Sequence, residues 1–134
     1  MDVKIIGAGG LAREIESWLS DDNQMNWNIV GFVDDDESAL ANYNLNKQIL
    51  GTLSNLHEGD AVIMGITGCT FKETFFKNNP TLNYLNYIHA FSLVGRRTKY
   101  GIGFLLMPNA SVSCDVQIGD LVFVNNGSQI GHDV

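Results

Sequence analysis

Two periodicities divide this chain of 134 residues. Over residues 1–86, short runs of consecutive apolar residues alternate with stretches whose apolar positions recur at helical spacing, which predicts a parallel α/β sheet. Residues 3–6 read as a buried strand running into Gly7-Ala8-Gly9-Gly10. Leu11, Ile15, Trp18 and Leu19 then recur at the spacing of an amphipathic helix over residues 11–19. Asn28–Val33 is the next strand, ended by Asp34-Asp35-Asp36. Residues 49–53 read as a short strand or turn before a weak helical stretch, and residues 61–66 as a strong strand. Residues 71–77 form a helix closed by Asn78-Asn79-Pro80. The strand order is not legible in this pattern.

From residue 87 onward a period of six takes over. Every sixth residue from Ile88 is apolar: Val94, Tyr100, Leu106, Val112, Ile118, Val124 and Ile130. The residue four after each is Ser, Thr, Ala or Val, except at Phe104. Gly follows the apolar position at Gly95, Gly101, Gly119 and Gly131. Neither a strand period of two nor a helical period of 3.6 generates this repeat, but a β-helix built from six-residue sides does. The expectation is that the apolar residue points into a narrow triangular core, the small residue sits inside near a corner, and Gly relieves the bend. Three sides make a coil of 18 residues, so Val94, Val112 and Ile130 should stack. A β-helix ending at Val134 leaves an open strand edge, so residues 87–134 are expected to be an incomplete β-helix, truncated within a longer protein.

Composition narrows the function. The chain is 45% hydrophobic and 17% charged, as in a globular protein, with no run long enough to span a membrane. The start lacks a secretory apolar region and reads as a cytoplasmic N-terminus. A net charge of −7 argues against nucleic acid as a partner. Arg96, Arg97 and Lys99 form a local basic spot, read first as a solvated patch and second as a site for an anionic ligand. Cys69 and Cys114 lack metal-ligand spacing and read as small buried hydrophobes, so no metal site is expected.

Three features carry chemistry. Gly7, Gly9, Gly10 and Ala12 fit G-x-G-x-x-A between a strand and a helix, where backbone N–H groups and the helix dipole can receive a phosphate. Asp34 and Asp35 end the second strand, where an acidic side chain can bond ribose hydroxyls; a solvated loop or helix cap is the plainer account. The loop holding Gly65 and Thr67 should face the same crevice. His132, near a corner and facing outward, can act as a general base, and Asp133 can orient it if the corner turns one side chain toward the other. His89 is expected to make a structural hydrogen bond.

These residues resemble the bacterial sugar O-/N-acetyltransferases of sialic-acid and bacillosamine biosynthesis, within the hexapeptide-repeat acyltransferase superfamily. The resemblance rests on residues 5–13, on Val30-Gly31-Phe32-Val33-Asp34-Asp35, on Ile88-His89, and above all on residues 107–133. Leu11 stands where bacillosamine-type members carry His, and Ala90 where the family has Pro. The resemblance implies a Rossmann-like N-terminal domain (residues 1–86) followed by a left-handed parallel β-helix (residues 87–134), assembled as a homotrimer. It implies acetyl-CoA as cosubstrate and a sugar or nucleotide-sugar as acceptor. It assigns His132 as catalytic base with Asp133 as its acidic neighbour, Asn125 beside the acceptor, and the glycine loop with Asp34 and Asp35 as a nucleotide pocket. Two other readings start from the same residues: an NAD(P)-dependent oxidoreductase, which leaves the hexads unexplained, and a non-catalytic nucleotide-sensing oligomer.

Overall fold

A computed structural model describes residues 1–22 and 24–134 and divides them into two units, Met1–Tyr84 and Leu85–Val134. The first is built around β1 (Asp2–Ile6), in which Val3, Ile5 and Ile6 are buried, Lys4 is half-buried and only Asp2 is exposed. Such a strand is stable only when covered on both sides and flanked by partners. It pairs in parallel with β2 (Asn28–Val33) on one edge and β4 (Ala61–Met64) on the other, so that Ile5 lies opposite both Phe32 and Ile63. With β3 (Ile49–Gly51) and β5 (Asn83–Tyr84) the five-stranded sheet has the order β3-β2-β1-β4-β5. The chain therefore fills one side of β1 first and then crosses to the other.

The helices follow the expected stripes with shifted ends. The first, α1 (Gly10–Asp21), buries Ala12, Ile15 and Leu19, while Leu11 and Trp18 are only half-buried. The second, α2 (Cys69–Asn78), buries Phe75 alone, with Phe71 stacked on it at 5.4 Å. The stretch after β3 is a 3-10 turn, Leu53–Asn55, closed by a reciprocal Thr52–Asn55 cap rather than continuing as a helix. The two-residue β5 follows the Asn79-Pro80 turn, too short to show a period. The buried Tyr84 phenol donates to the Asn79 carbonyl at 2.9 Å, and burial pushes its pKa up to about 12. Lys4 pairs with Asp60 at 2.7 Å, which with the His57 N–H holds the Asp60 carboxyl below its usual range.

The second unit consists of stacked coils. Its eight two-residue strands are β6 (Tyr87–Ile88), β7 (Leu93–Val94), β8 (Lys99–Tyr100), β9 (Leu105–Leu106), β10 (Ser111–Val112), β11 (Gln117–Ile118), β12 (Phe123–Val124) and β13 (Gln129–Ile130). They form three parallel ladders, β6-β9-β12, β7-β10-β13 and β8-β11, each offset by 18 residues. Val94, Val112 and Ile130 are register partners, as the period required. Leu106, Val112 and Val124 are buried with Phe104, Ala110 and Val116 in one core, against which Ile88, Val94, Ile118, Val122 and Ile130 pack.

Three expectations need correction here. Tyr100 does not point into the core: it is 41% exposed and its ring lies against Phe104, the bulky exception that is itself fully buried. Phe104 takes interior volume that a small residue would leave open, and a prism this narrow has no room for a second ring. The glycines after the apolar position do not make the bends. The left-handed residues are Arg97, Gly103, Asn109, Asp115, Leu121, Gly127 and Asp133, three places after the apolar residue in each hexad from Val94 onward and mostly not glycine. Asn and Asp tolerate that conformation best among side-chain-bearing residues; we have no physical account of Leu121 there. Gly95 serves instead for close approach, since a Cβ would stand 2.5 Å from the Ser113 carbonyl carbon. Finally, neither cysteine is buried: Cys69 is exposed and Cys114 half-buried.

Candidate functional site

In the first unit, the reversal of strand order opens between the carboxyl ends of β1 and β4, the place where a parallel sheet leaves a crevice. The loops expected to matter leave these two strand ends. Gly7 has a left-handed φ of 88°, and a Cβ there would stand 2.7 Å from Ile66. Gly65 is buried, donates its N–H to Ile6, and would place a Cβ 2.6 Å from that same carbonyl oxygen. Both glycines are thus required by packing of one loop on the other. Gly9 and Gly10 differ. They are exposed, and a Cβ on either would meet nothing within 4 Å. Gly9 has an ordinary φ of −75°, so no contact within the chain demands glycine at either position.

Asp34 is drawn to this loop by its own geometry. One carboxylate oxygen accepts the Ala8 N–H at 2.8 Å and the other the Asp36 N–H at 2.8 Å. Asp35 accepts the Leu53 N–H at 2.9 Å. Asp36 accepts both the N–H and hydroxyl of Ser38, which lower its pKa. All three carboxylates therefore anchor backbone, and the plainer account of the triplet holds at least in part. Thr67 is exposed beyond Gly65, on the approach to α2.

Sequence reasoning gave no role to Arg13. Its guanidinium donates to the Ala8 carbonyl at 3.2 Å and lies over the Tyr43 ring, 3.7 Å from the centroid. The available signal was a cation in the first turns of α1, where the helix dipole disfavours one. Cavities of about 340 Å³, with Tyr43 and Ile49 in its wall, and about 610 Å³, with Leu19 and Trp27, lie in this unit; none of the expected site residues lines either.

In the second unit, His132 and Asp133 occupy one corner, with side chains 74% exposed. Asp133 takes a left-handed φ of 61°, which turns its carboxylate back so that Oδ2 lies 2.6 Å from His132 Nδ1. Adjacent residues on a straight strand face opposite ways; the corner makes the contact possible. With Nδ1–H donated to the carboxylate, Nε2 keeps the lone pair and can take a proton. Asn125 is exposed at the preceding corner, its side-chain oxygen accepting the Asn126 N–H at 2.8 Å. His89 is buried, with Nδ1 accepting the Phe91 N–H at 3.0 Å, a structural bond. Among the described residues there is no group of three or more His, Cys, Asp or Glu that could hold a metal, and no helix long and apolar enough to cross a membrane.

The model of the PglD N-terminal domain family matches residues 2–78, more than half of the chain. The chain belongs to this family. No curated protein matches it significantly. Among solved structures, the acetyltransferase domain of PglB from Neisseria gonorrhoeae FA1090, in complex with acetyl coenzyme A, is similar at 21% identity and a TM-score of 0.79; the match covers 98% of this chain and 65% of that one. PerB from Caulobacter crescentus, in complex with CoA and GDP-perosamine, is similar at 22% identity and 0.79, over 99% and 64%. WeeI from Acinetobacter baumannii AYE is similar at 19% and 0.75, over 99% and 65%. At these identities the likeness establishes the fold, and the chain spans just under two thirds of the length of each.

Proposed function

We propose that this PglD N-terminal domain family member is part of an acetyl-CoA-dependent acetyltransferase acting on a hydroxyl or amine of a sugar or nucleotide-sugar. The observation that carries the reading is the His132–Asp133 contact, an exposed imidazole held through Nδ1 with Nε2 left outside that contact, in a chain of this family and fold. The acceptor's hydroxyl or amine attacks the thioester carbonyl carbon of acetyl-CoA while Nε2 of His132 removes its proton. The tetrahedral oxyanion is held by a backbone N–H, the C–S bond breaks, and the CoA thiolate leaves and takes up a proton.

The N-terminal unit is read as a Rossmann-like domain of residues 1–86 that holds the sugar or nucleotide. Its support is the β3-β2-β1-β4-β5 order and the open space over Gly9 and Gly10, where a phosphate can approach backbone N–H groups. Gly7 and Gly65 shape this loop, Asp34 holds its backbone at Ala8, Asp35 holds the Leu53 backbone after β3, Thr67 borders it, and Arg13 supplies a cation beside it. Residues 87–134 are read as a left-handed β-helix with Asn125 beside the acceptor. Phe91 and Leu93, 75% and 73% exposed, offer apolar surface that further copies of the chain would cover in a homotrimer. A cytoplasmic site of action fits an acetyl-CoA-using enzyme.

The test is turnover of acetyl-CoA by the full-length protein, followed as released thiol with nucleotide-linked amino and hydroxy sugars as acceptors. His132→Ala is expected to lose at least ~10²-fold in rate, the usual worth of a positioned base. Turnover within a few-fold of the parent removes His132 from the mechanism.

A further inference from the structure

The corner that carries His132 is the third in a vertical stack. Residues 96–97, 114–115 and 132–133 stand eighteen apart in the register set by Val94, Val112 and Ile130. Backbone bonds run from the Asp115 N–H to the Arg96 carbonyl and from the Asp133 N–H to the Cys114 carbonyl. Arg97, Asp115 and Asp133 share left-handed φ values of 62°, 61° and 61°. Two columns result, Arg96–Cys114–His132 and Arg97–Asp115–Asp133. Neighbouring parallel strands lie about 4.8 Å apart, so Asp115 stands one coil from the His132–Asp133 pair. It does not join that pair. Arg97 takes both of its oxygens, Nε on Oδ1 and Nη2 on Oδ2 at 2.8 Å, in the two-pronged geometry that only guanidinium offers.

We propose that Arg97 is a positioning residue: by holding both oxygens of Asp115, it weakens that carboxylate's pull on His132, leaves Asp133 as the carboxylate bonded to the imidazole, and favours the neutral ring in one tautomer. The catalytic consequence rests on the acetyl-transfer reading of His132; the arrangement itself is measurable without turnover.

Three observations support this. The side chains of Arg97 and Asp115 are 67% and 38% exposed, and an ion pair that open to water contributes little to folding. The Asp115 carboxyl is held below its usual range, first by Arg97, then by the Cys114 thiol, with a smaller contribution from the charge of His132, so imidazole and carboxylate are within electrostatic reach. Arg96 and Cys114 are the other charged or titratable groups on this corner, and Arg96 lies two coils from His132. Remove Arg97, and two carboxylates surround one imidazole. They favour its protonated form, which has no lone pair to accept the acceptor's proton.

The decisive measurement is a heteronuclear NMR titration of His132 at low ionic strength, where exposed charges are least screened. Arg97→Gln is expected to move the His132 midpoint upward and to populate a second tautomer. Arg97→Gln with Asp115→Asn should return the midpoint toward the parent value, Asp115→Asn alone should move it downward, and Arg97→Lys, which keeps the charge without the two-pronged bond, should restore only part of it. A folded Arg97→Gln protein whose His132 titrates like the parent overturns the proposal, as does an unchanged midpoint in Asp115→Asn should Arg97→Gln fail to fold. A shifted midpoint with full activity in His132→Ala supports the positioning and sinks only the catalytic reading.

Discussion

The two units bury their apolar side chains by different routes. In Met1–Tyr84, β1 is fixed from both edges by strands far away in sequence, and fully buried residues such as Val3, Ile5 and Ile63 depend on crossovers that bring residue 5 beside residues 32 and 63. In Leu85–Val134, each residue finds its partner 18 positions away, and the same environment returns every turn. The sheet concentrates its constraints in a few loops, where Gly7, Gly65 and Asp34 hold one another. The coils distribute theirs, one left-handed corner in each hexad from Val94 onward. Candidate chemistry follows the same division: the sheet offers loops brought together where its strand order reverses, whereas the coils offer one exposed imidazole on a corner made by local backbone geometry.

The largest effect that would strain this comparison is expected in the coils. Phe104→Ala empties the centre of the narrow core and should cost about 4 kcal/mol, read by denaturant unfolding with hydrogen exchange at Leu106 and Val112. A loss under about 1 kcal/mol would mean that the prism closes around the gap, against the distributed packing described here. Next is a contrast between glycines of the sheet. Gly65→Ala sets a methyl 2.6 Å from the Ile6 carbonyl and should cost about 2 kcal/mol, whereas Gly9→Ala meets nothing and should stay within about 0.5 kcal/mol of the parent while weakening nucleotide-sugar binding. Equal stability losses would erase the distinction between glycines that packing demands and glycines that it does not.

The smallest effect is expected in alkali. The Tyr84 phenol has its pKa raised by burial from 10.0 to about 12, so folding favours the neutral form. That contribution is complete below pH 10 and is lost as the pH rises toward 12. Urea midpoints followed by fluorescence of Trp18 and Trp27, both in this unit, should fall across that window, and Tyr84→Phe should flatten the fall.

The residues alone determined the elements and the repeat. Apolar runs and helical stripes located β1, β2, β4 and both helices, and a period of six set an 18-residue coil, because burial demands apolar residues at positions that geometry makes periodic. The candidate residues were legible too, as residue types in a given context: glycines between strand and helix, a histidine at a corner. Tertiary structure decided the rest. The strand order, and with it the meeting of the loops after β1 and β4, depends on contacts across dozens of residues that leave no local period. So do the commitment of Asp34, Asp35 and Asp36 to backbone donors, the placing of Arg13 over Tyr43, and the outward turn of Tyr100. The left-handed corners were hidden for another reason: they fall on Arg, Asn, Asp and Leu as well as Gly, since what sets them is the path of the coil rather than the preference of the residue.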